Sequence, residues 1–203
     1  VVRLLDRALV EVEELVARLD LDPAAGADAQ RELRGRDQVL LADRTASVAG
    51  FRYFNVYGPR ERHKGTMASV ARHFHDQYRA DGRVRLFEGS GGYGNGEQRR
   101  DFIHVDDVVA ANLWSLERPG VSGVFNLGTG KGFSVREVID HSRIVTNRDV
   151  PVVFGERRGG DAVSLVSGSE RAISDLGWRP TRSNMGDMIA DAWRWHQHGG
   201  YGG

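Results

Sequence analysis

From Ser47 onward, short runs of apolar and β-branched residues take turns with segments whose apolar positions recur every three or four residues. Strand-like and helix-like periods in succession predict an α/β architecture. "SVAGFRYFNV" (47–56) reads as a strand ending at a Tyr57-Gly58-Pro59 turn. Val70, Phe74 and Tyr78 mark a helix that Thr66 can cap and Gly82 stops. "VRLFEG" is a short strand, followed by the Gly-rich "SGGYGNGEQ". Asp106 can open a helix through "DDVVAANLWSLE", and "GVFNLGTG" is an apolar strand with a glycine turn. Ser134 and Glu137 form a Ser-x-x-Glu capping box at the head of "SVREVIDHSRIV". "PVVFGE" and "AVSLVSG" read as strands, "SERAISDLG" and "MGDMIADAWRWHQH" as helices.

Residues 1–46 follow a different pattern. Leu5, Leu9, Val12, Val16 and Leu19 fall at helical spacing, and "DPAAGADAQRELRGRDQ" reads as a loop and a weaker helix. The expected organisation is an atypical helical segment over 1–46 and an α/β part over 47–203.

Composition narrows the function classes. Twenty-eight Lys and Arg balance 28 Asp and Glu, which gives no reason to expect nucleic acid or a membrane surface as the main partner. The absence of cysteine excludes a disulfide framework, a thiolate metal site and a thiol nucleophile. No apolar run approaches the roughly 20 residues of a membrane span, so a cytoplasmic protein is expected. The chain starts at Val1, and a fragment is one expectation.

Several residues are placed for chemistry. Asn55, at a strand end before a rigid turn, either caps that turn or reaches a ligand, because ligands of α/β folds sit beyond the carboxyl ends of strands. Lys64 is one of only two lysines in an arginine-rich chain. It is either a solvated cation or, if desolvated, a proton shuttle that arginine cannot replace. Arg99 and Arg100, and again "ERRGGD" (156–161), are either surface charges or guanidinium forks for a diphosphate. A metal site is not expected, since His73 and His75 are two apart on a helix and face different sides. The "GTGKG" glycines fit neither a G-x-G-x-x-G loop nor a P-loop.

These stretches carry a resemblance. "GFRYFNVYGPRERHKGTMASVARHFH", "LFEG", "QRRDFIHVDDVVAANLWSLE" and "GVSGVFNLGTG" resemble the ADP-glyceromanno-heptose 6-epimerase family of extended short-chain dehydrogenase/reductases. From Gly132 on, "GFSVREVIDH", "ERRGGDAVSLVSGSERAISDLGWRP" and "IADAWRWHQH" look more like UDP-glucose 4-epimerase. Both resemblances imply a partial Rossmann-type fold, mainly its C-terminal substrate-binding part. They imply a sugar-nucleotide epimerase that oxidises its substrate transiently with NADP (or NAD). The substrate implied is ADP-heptose, with a UDP-hexose as the alternative, and the full-length enzyme would be a homo-oligomer. A related nucleotide-sugar dehydratase or a non-catalytic substrate-binding fragment are the other readings.

Residue by residue, the resemblance implies that Lys64 is a proton acceptor and that Val56 lies against the cofactor. It implies that Asn55, Thr66, His73, Phe87, Glu88, Gly89, Ser90 and Arg100 line the sugar-nucleotide pocket, with Arg157 and Asp161 at its nucleotide end. Two features of these families are missing: the G-x-x-G-x-x-G cofactor loop and a Tyr-x-x-x-Lys pair, since none of the five tyrosines has Lys four residues later.

Overall fold

The computed structural model describes residues 48–118, 120–157 and 159–198. The expected helix through Leu5–Leu19 lies outside them.

The apolar run 47–56 forms two strands. Strand β1 (Ala49–Tyr53) runs parallel to β5 (Gly123–Leu127), with Phe51 opposite Phe125. Phe54 still donates its N–H to the Leu127 carbonyl at 3.1 Å. The chain then changes partner: β2 (Asn55–Tyr57) pairs in parallel with β4 (Arg99–His104), Asn55 opposite Phe102. Apolar content cannot reveal a change of neighbour, so the sequence reads one strand where there are two.

Strand β4 also takes β6 (Gly132–Ser134) antiparallel and the two-residue β8 (Ser164–Leu165) parallel. Most of "AVSLVSG" is therefore not strand, and β8 is exposed. Strand β3 (Val84–Phe87) pairs in parallel with β7 (Val152–Gly155).

Because side chains alternate across a strand, Phe102 and Ile103 of β4 enter different cores. Phe102 packs with Tyr57, Phe74, Leu86 and Met188; Ile103 packs with Phe125, Leu127, Leu176 and Trp178. Each is about 1% exposed or less, and burying such a side chain stabilises by about 1.5–3 kcal/mol.

Among the described residues, five helices cover these sheets. Helix α1 (Val70–Asp81) ends at Gly82 in the left-handed conformation, as expected, but its cap is Ser69, whose hydroxyl accepts from Arg72 N. Thr66 lies in the preceding 3-10 turn, Arg62–Met67. Helix α2 (Val105–Leu116) is capped by His104 rather than Asp106: the ring Nδ1 accepts the Asp106 N–H at 3.0 Å. His104 can replace a conventional cap because its other nitrogen, wholly buried, faces Asp191 Oδ2 at 3.4 Å. Helix α3 (Val135–Thr146) carries the expected reciprocal Ser134–Glu137 box. Helix α4 (Glu170–Ser174) and helix α5 (Met185–Gln197), capped by Asn184, complete the set.

Candidate functional site

Two clusters of polar side chains gather near the carboxyl ends of β2 and β3. The first is built on β3, β4 and β7. Phe87 pairs with Gly155, and Glu88 N–H donates to the Gly155 carbonyl at 2.9 Å, so Phe87–Ser90 leave the sheet beside Glu156–Asp161. The turn is fastened by Gly89 N–H to Asn95 Oδ1 (2.8 Å) and by Gln98 Nε2 to the Glu88 carbonyl (2.7 Å). Gly89 is obligatory here, because a Cβ would lie 2.2 Å from the Tyr93 carbonyl oxygen.

Across this turn, Arg100 Nη2 meets Asp161 Oδ1 at 2.9 Å, with only 15% of the arginine side chain exposed. Arg157 Nε and Ser90 Oγ are both buried without a hydrogen-bond partner. Arg143 Nε and His104 Nε2, elsewhere in the fold, share that condition.

The second cluster follows β2. Gly58 packs so closely that a Cβ would approach Val105 Cγ1 to 2.9 Å. Arg60 adopts φ 68°, a conformation most side chains avoid, and its guanidinium lies 5.2 Å from the centre of the Trp195 ring. This turn directs Glu61 inward: it is 6% exposed. Its carboxylate accepts from Lys64 Nζ (3.3 Å), Ser69 N–H (3.3 Å) and Ser69 Oγ (2.5 Å). Burial, and then the charge of Glu61, raise the Tyr57 phenol far above its ordinary range.

The Lys64 side chain is 32% exposed and ion-paired with Glu61. Thr66 is exposed, and its carbonyl sits 3.2 Å from His73 Nε2.

Asn55 stands between the clusters. Its Nδ2 donates to the Asp101 carbonyl at 3.0 Å, a tie to the neighbouring strand β4 rather than to the turn that follows it in sequence. Val56 packs against the core of Ile103 and Leu127. The fold thus joins Arg100 to Asp161, sets Phe87 and Glu88 beside Gly155, and joins Thr66 to His73 in the segment that carries Lys64, while no hydrogen bond or ion pair among the described residues links Arg157 to the Arg100–Asp161 pair. Arg99 instead donates to the Gly132 carbonyl at 2.6 Å, so it is a structural tie.

Asp101, the buried support of the site, was not singled out by sequence reasoning. Its carboxylate, wholly buried, accepts from Thr129 N–H (2.8 Å), Thr129 Oγ1 (2.5 Å), Gly130 N–H (2.9 Å), Ser167 N–H (3.1 Å) and Ser167 Oγ (2.5 Å). The "GTGKG" glycines serve this knot: a Cβ on Gly128 would lie 2.6 Å from Asp101 Oδ2. A Thr-Gly turn facing an Asp in "RRDF" is the one signal available, and only the fold joins them. Among the described residues no group of three or more metal-ligating side chains forms, and no helix is long and apolar enough to cross a membrane.

This arrangement has relatives. Residues 37–128 match the NAD dependent epimerase/dehydratase family. That epimerase/dehydratase match begins ahead of the boundary expected at 46/47. An ADP-L-glycero-D-manno-heptose-6-epimerase of Thiobacillus denitrificans is 68% identical over 99 residues, 49% of this chain and 30% of that protein. Another of that name, from Helicobacter pylori, superposes with a TM-score of 0.67 at 30% identity, covering 80% of this chain and 48% of that one. A UDP-glucose-4-epimerase from Stenotrophomonas maltophila, solved with NAD and a formylated UDP-arabinopyranose, gives 0.66 at 27% identity over 84% and 52%. The chain thus spans under a third of that curated relative and about half of these solved ones.

The described residues do not fit a whole dinucleotide. A pyrophosphate is commonly held at an uncapped helix N-terminus. Here the first turns of α1, α2, α3 and α5 are occupied by Ser69, His104, Ser134 and Asn184. Those of α2, α3 and α5 also carry Asp106 and Asp107, Glu137 and Asp187, which repel a phosphate.

Proposed function

We propose that this chain binds a nucleoside-diphosphate sugar and supplies the substrate side of a sugar-nucleotide epimerase. The observation that carries the reading is the Arg100–Asp161 ion pair, its arginine largely buried, with Ser90 on the turn after β3 and Arg157 four residues before Asp161 each holding a buried polar atom that no protein group satisfies. Guanidinium forks match the oxygens of a diphosphate. Asp161 would repel a phosphate, so its second oxygen suits a sugar or ribose hydroxyl while the first holds Arg100 in place. Phe87–Ser90 form the floor of this pocket.

The sugar then extends toward Asn55 and the Lys64–Thr66–His73 cluster. There Lys64 exchanges a proton with the hydroxyl of the reacting carbon, and Thr66 and His73 hold neighbouring hydroxyls. NAD(P) would supply hydride chemistry when bound. In this chain Val56 reaches only the edge of such a cofactor, and the described residues cannot cradle its pyrophosphate.

ADP-heptose is the preferred substrate, because the 68% identical stretch belongs to a protein of that specificity by name. A UDP-hexose is the second reading, favoured by Arg157 and Asp161 in "ERRGGD". Calorimetric titration with ADP- and UDP-sugars separates the two. In either case Arg157→Ala should weaken binding by about 1.5–3 kcal/mol, the range for charge-assisted hydrogen bonds. Equal affinity for the parent and the alanine variant would remove Arg157 from the site.

A further inference from the structure

We propose that Glu61 is the positioning residue of Lys64, and that Ser69 locks Glu61 so that the lysine turn and helix α1 move as one body. This deepens the reading above and rests on it for the role of Lys64.

Glu61 is a buried carboxylate with three donors from two elements: Lys64 Nζ on the 3-10 turn, and the N–H and hydroxyl of Ser69 at the head of α1. A lone carboxylate at 6% exposure is costly to bury unless its bonds are fixed. The two from Ser69 fix its oxygens, and Lys64 then meets an acceptor that cannot swing away.

Ser69 serves twice, since the hydroxyl that donates to Glu61 also accepts the Arg72 N–H that opens α1. His73, one turn into that helix, returns to the lysine turn through the Thr66 carbonyl. The lysine turn is therefore tied to α1 at two points, through Ser69 and through His73. Arg60, immediately before Glu61, has a positive φ and lies over the Trp195 ring.

The two lysines of the chain make this measurable without turnover. Lys131 is exposed and lies in the Thr-Gly turn, remote in sequence from Glu61, and serves as an internal reference. Limited acetylation of the intact chain with isotopically coded acetic anhydride, read by peptide mass spectrometry, gives the ratio of Lys64 to Lys131 labelling. In Glu61→Gln the amine loses its ion pair, and the ratio should rise about two- to fivefold, the reach of one partly exposed ion pair.

Ser69→Ala keeps the carboxylate but unlocks it, so the ratio should rise by a smaller factor; this variant decides the matter if Glu61→Gln does not fold. A purely structural role would lower the melting temperature and leave the ratio unchanged. An unchanged ratio in a folded Glu61→Gln, or in Ser69→Ala, overturns the proposal. Labelling of the parent in the presence of an ADP- or UDP-sugar tests the underlying reading separately. Ligand should suppress Lys64 and spare Lys131. If the sugar fails to protect Lys64 while Glu61→Gln still raises the ratio, the substrate reading falls and the positioning role of Glu61 stands.

Discussion

At the scale of single residues, buried carboxylates shape this molecule more than its arginines do. Asp101 gathers five donors from the 129–130 turn and Ser167, and Asp107 likewise accepts from Thr181 (N–H at 2.9 Å), Arg182 (N–H at 2.9 Å) and Ser183 (hydroxyl at 2.5 Å). Each fixes loops that apolar packing alone would leave undefined. Asp101→Asn keeps the shape but turns two donor hydrogens toward groups that also donate. Urea unfolding should show a loss of about 2–4 kcal/mol, the worth of one or two hydrogen bonds to a charged acceptor. A loss below about 1 kcal/mol would mean that the loops around Asp101 hold themselves in place.

At the scale of elements, α1 and α5 meet through two imidazoles. His75 and His196 stack with ring centroids 3.9 Å apart and planes at 8°, and the Trp193 ring lies edge-on to His75 at 6.0 Å. The pair walls a cavity of about 70 Å³ lined by Tyr57, Phe74, Tyr78 and Ile189. Burial chiefly, then the charges of His75 and Arg72, lower the His196 pKa from 6.5 to about 4, with Asp76 opposing and Arg79 adding least. His75 is lowered as well, mainly by burial. A depressed histidine binds protons in the unfolded chain before it does in the folded one. Stability is therefore fully present above pH 6.5, falls as the pH drops, and levels off near pH 4. His196→Phe keeps a ring on His75 and removes this proton. Thermal melts between those limits should show a shallower pH slope than the parent, a difference of about 1 kcal/mol once solvent screening is allowed for. Identical slopes would place the acid sensitivity in other groups.

At the scale of the whole molecule, strand β1 has an open margin among the described residues. Among the described residues, β5 is the one neighbour of β1. Phe54 N and Val48 O turn to β5, so Ala49, Phe51 and Tyr53 direct their backbone groups away from it. With every described helix of useful length already capped, this chain should hold NAD(P) weakly. Calorimetry is expected to give a dissociation constant above about 10 μM, since the pyrophosphate cradle contributes much of the affinity for a dinucleotide. Sub-micromolar binding would require a phosphate site elsewhere in the chain.

What the sequence determined by itself is local. Period and glycines placed α1 and α3 and marked β3 and β7 as separate strands, because those choices depend on residues within a turn or two of each other. The Ser134–Glu137 box and the Gly82 stop were legible for that reason, and so was the polar character of Arg100, Arg157 and Lys64. Tertiary structure decided the rest. It split 47–56 between two partner strands and reduced "AVSLVSG" to a two-residue strand at an exposed edge. It gave the caps of α1 and α2 to Ser69 and His104, since a cap is chosen by where the chain turns and by what the side chain finds beyond it. It paired Arg100 with Asp161 across 61 residues of sequence, tied Lys64 to Glu61, and set Asp101 among donors from two distant loops. Charge pairing and buried satisfaction depend on distance in space, and that distance exists only once the chain is folded.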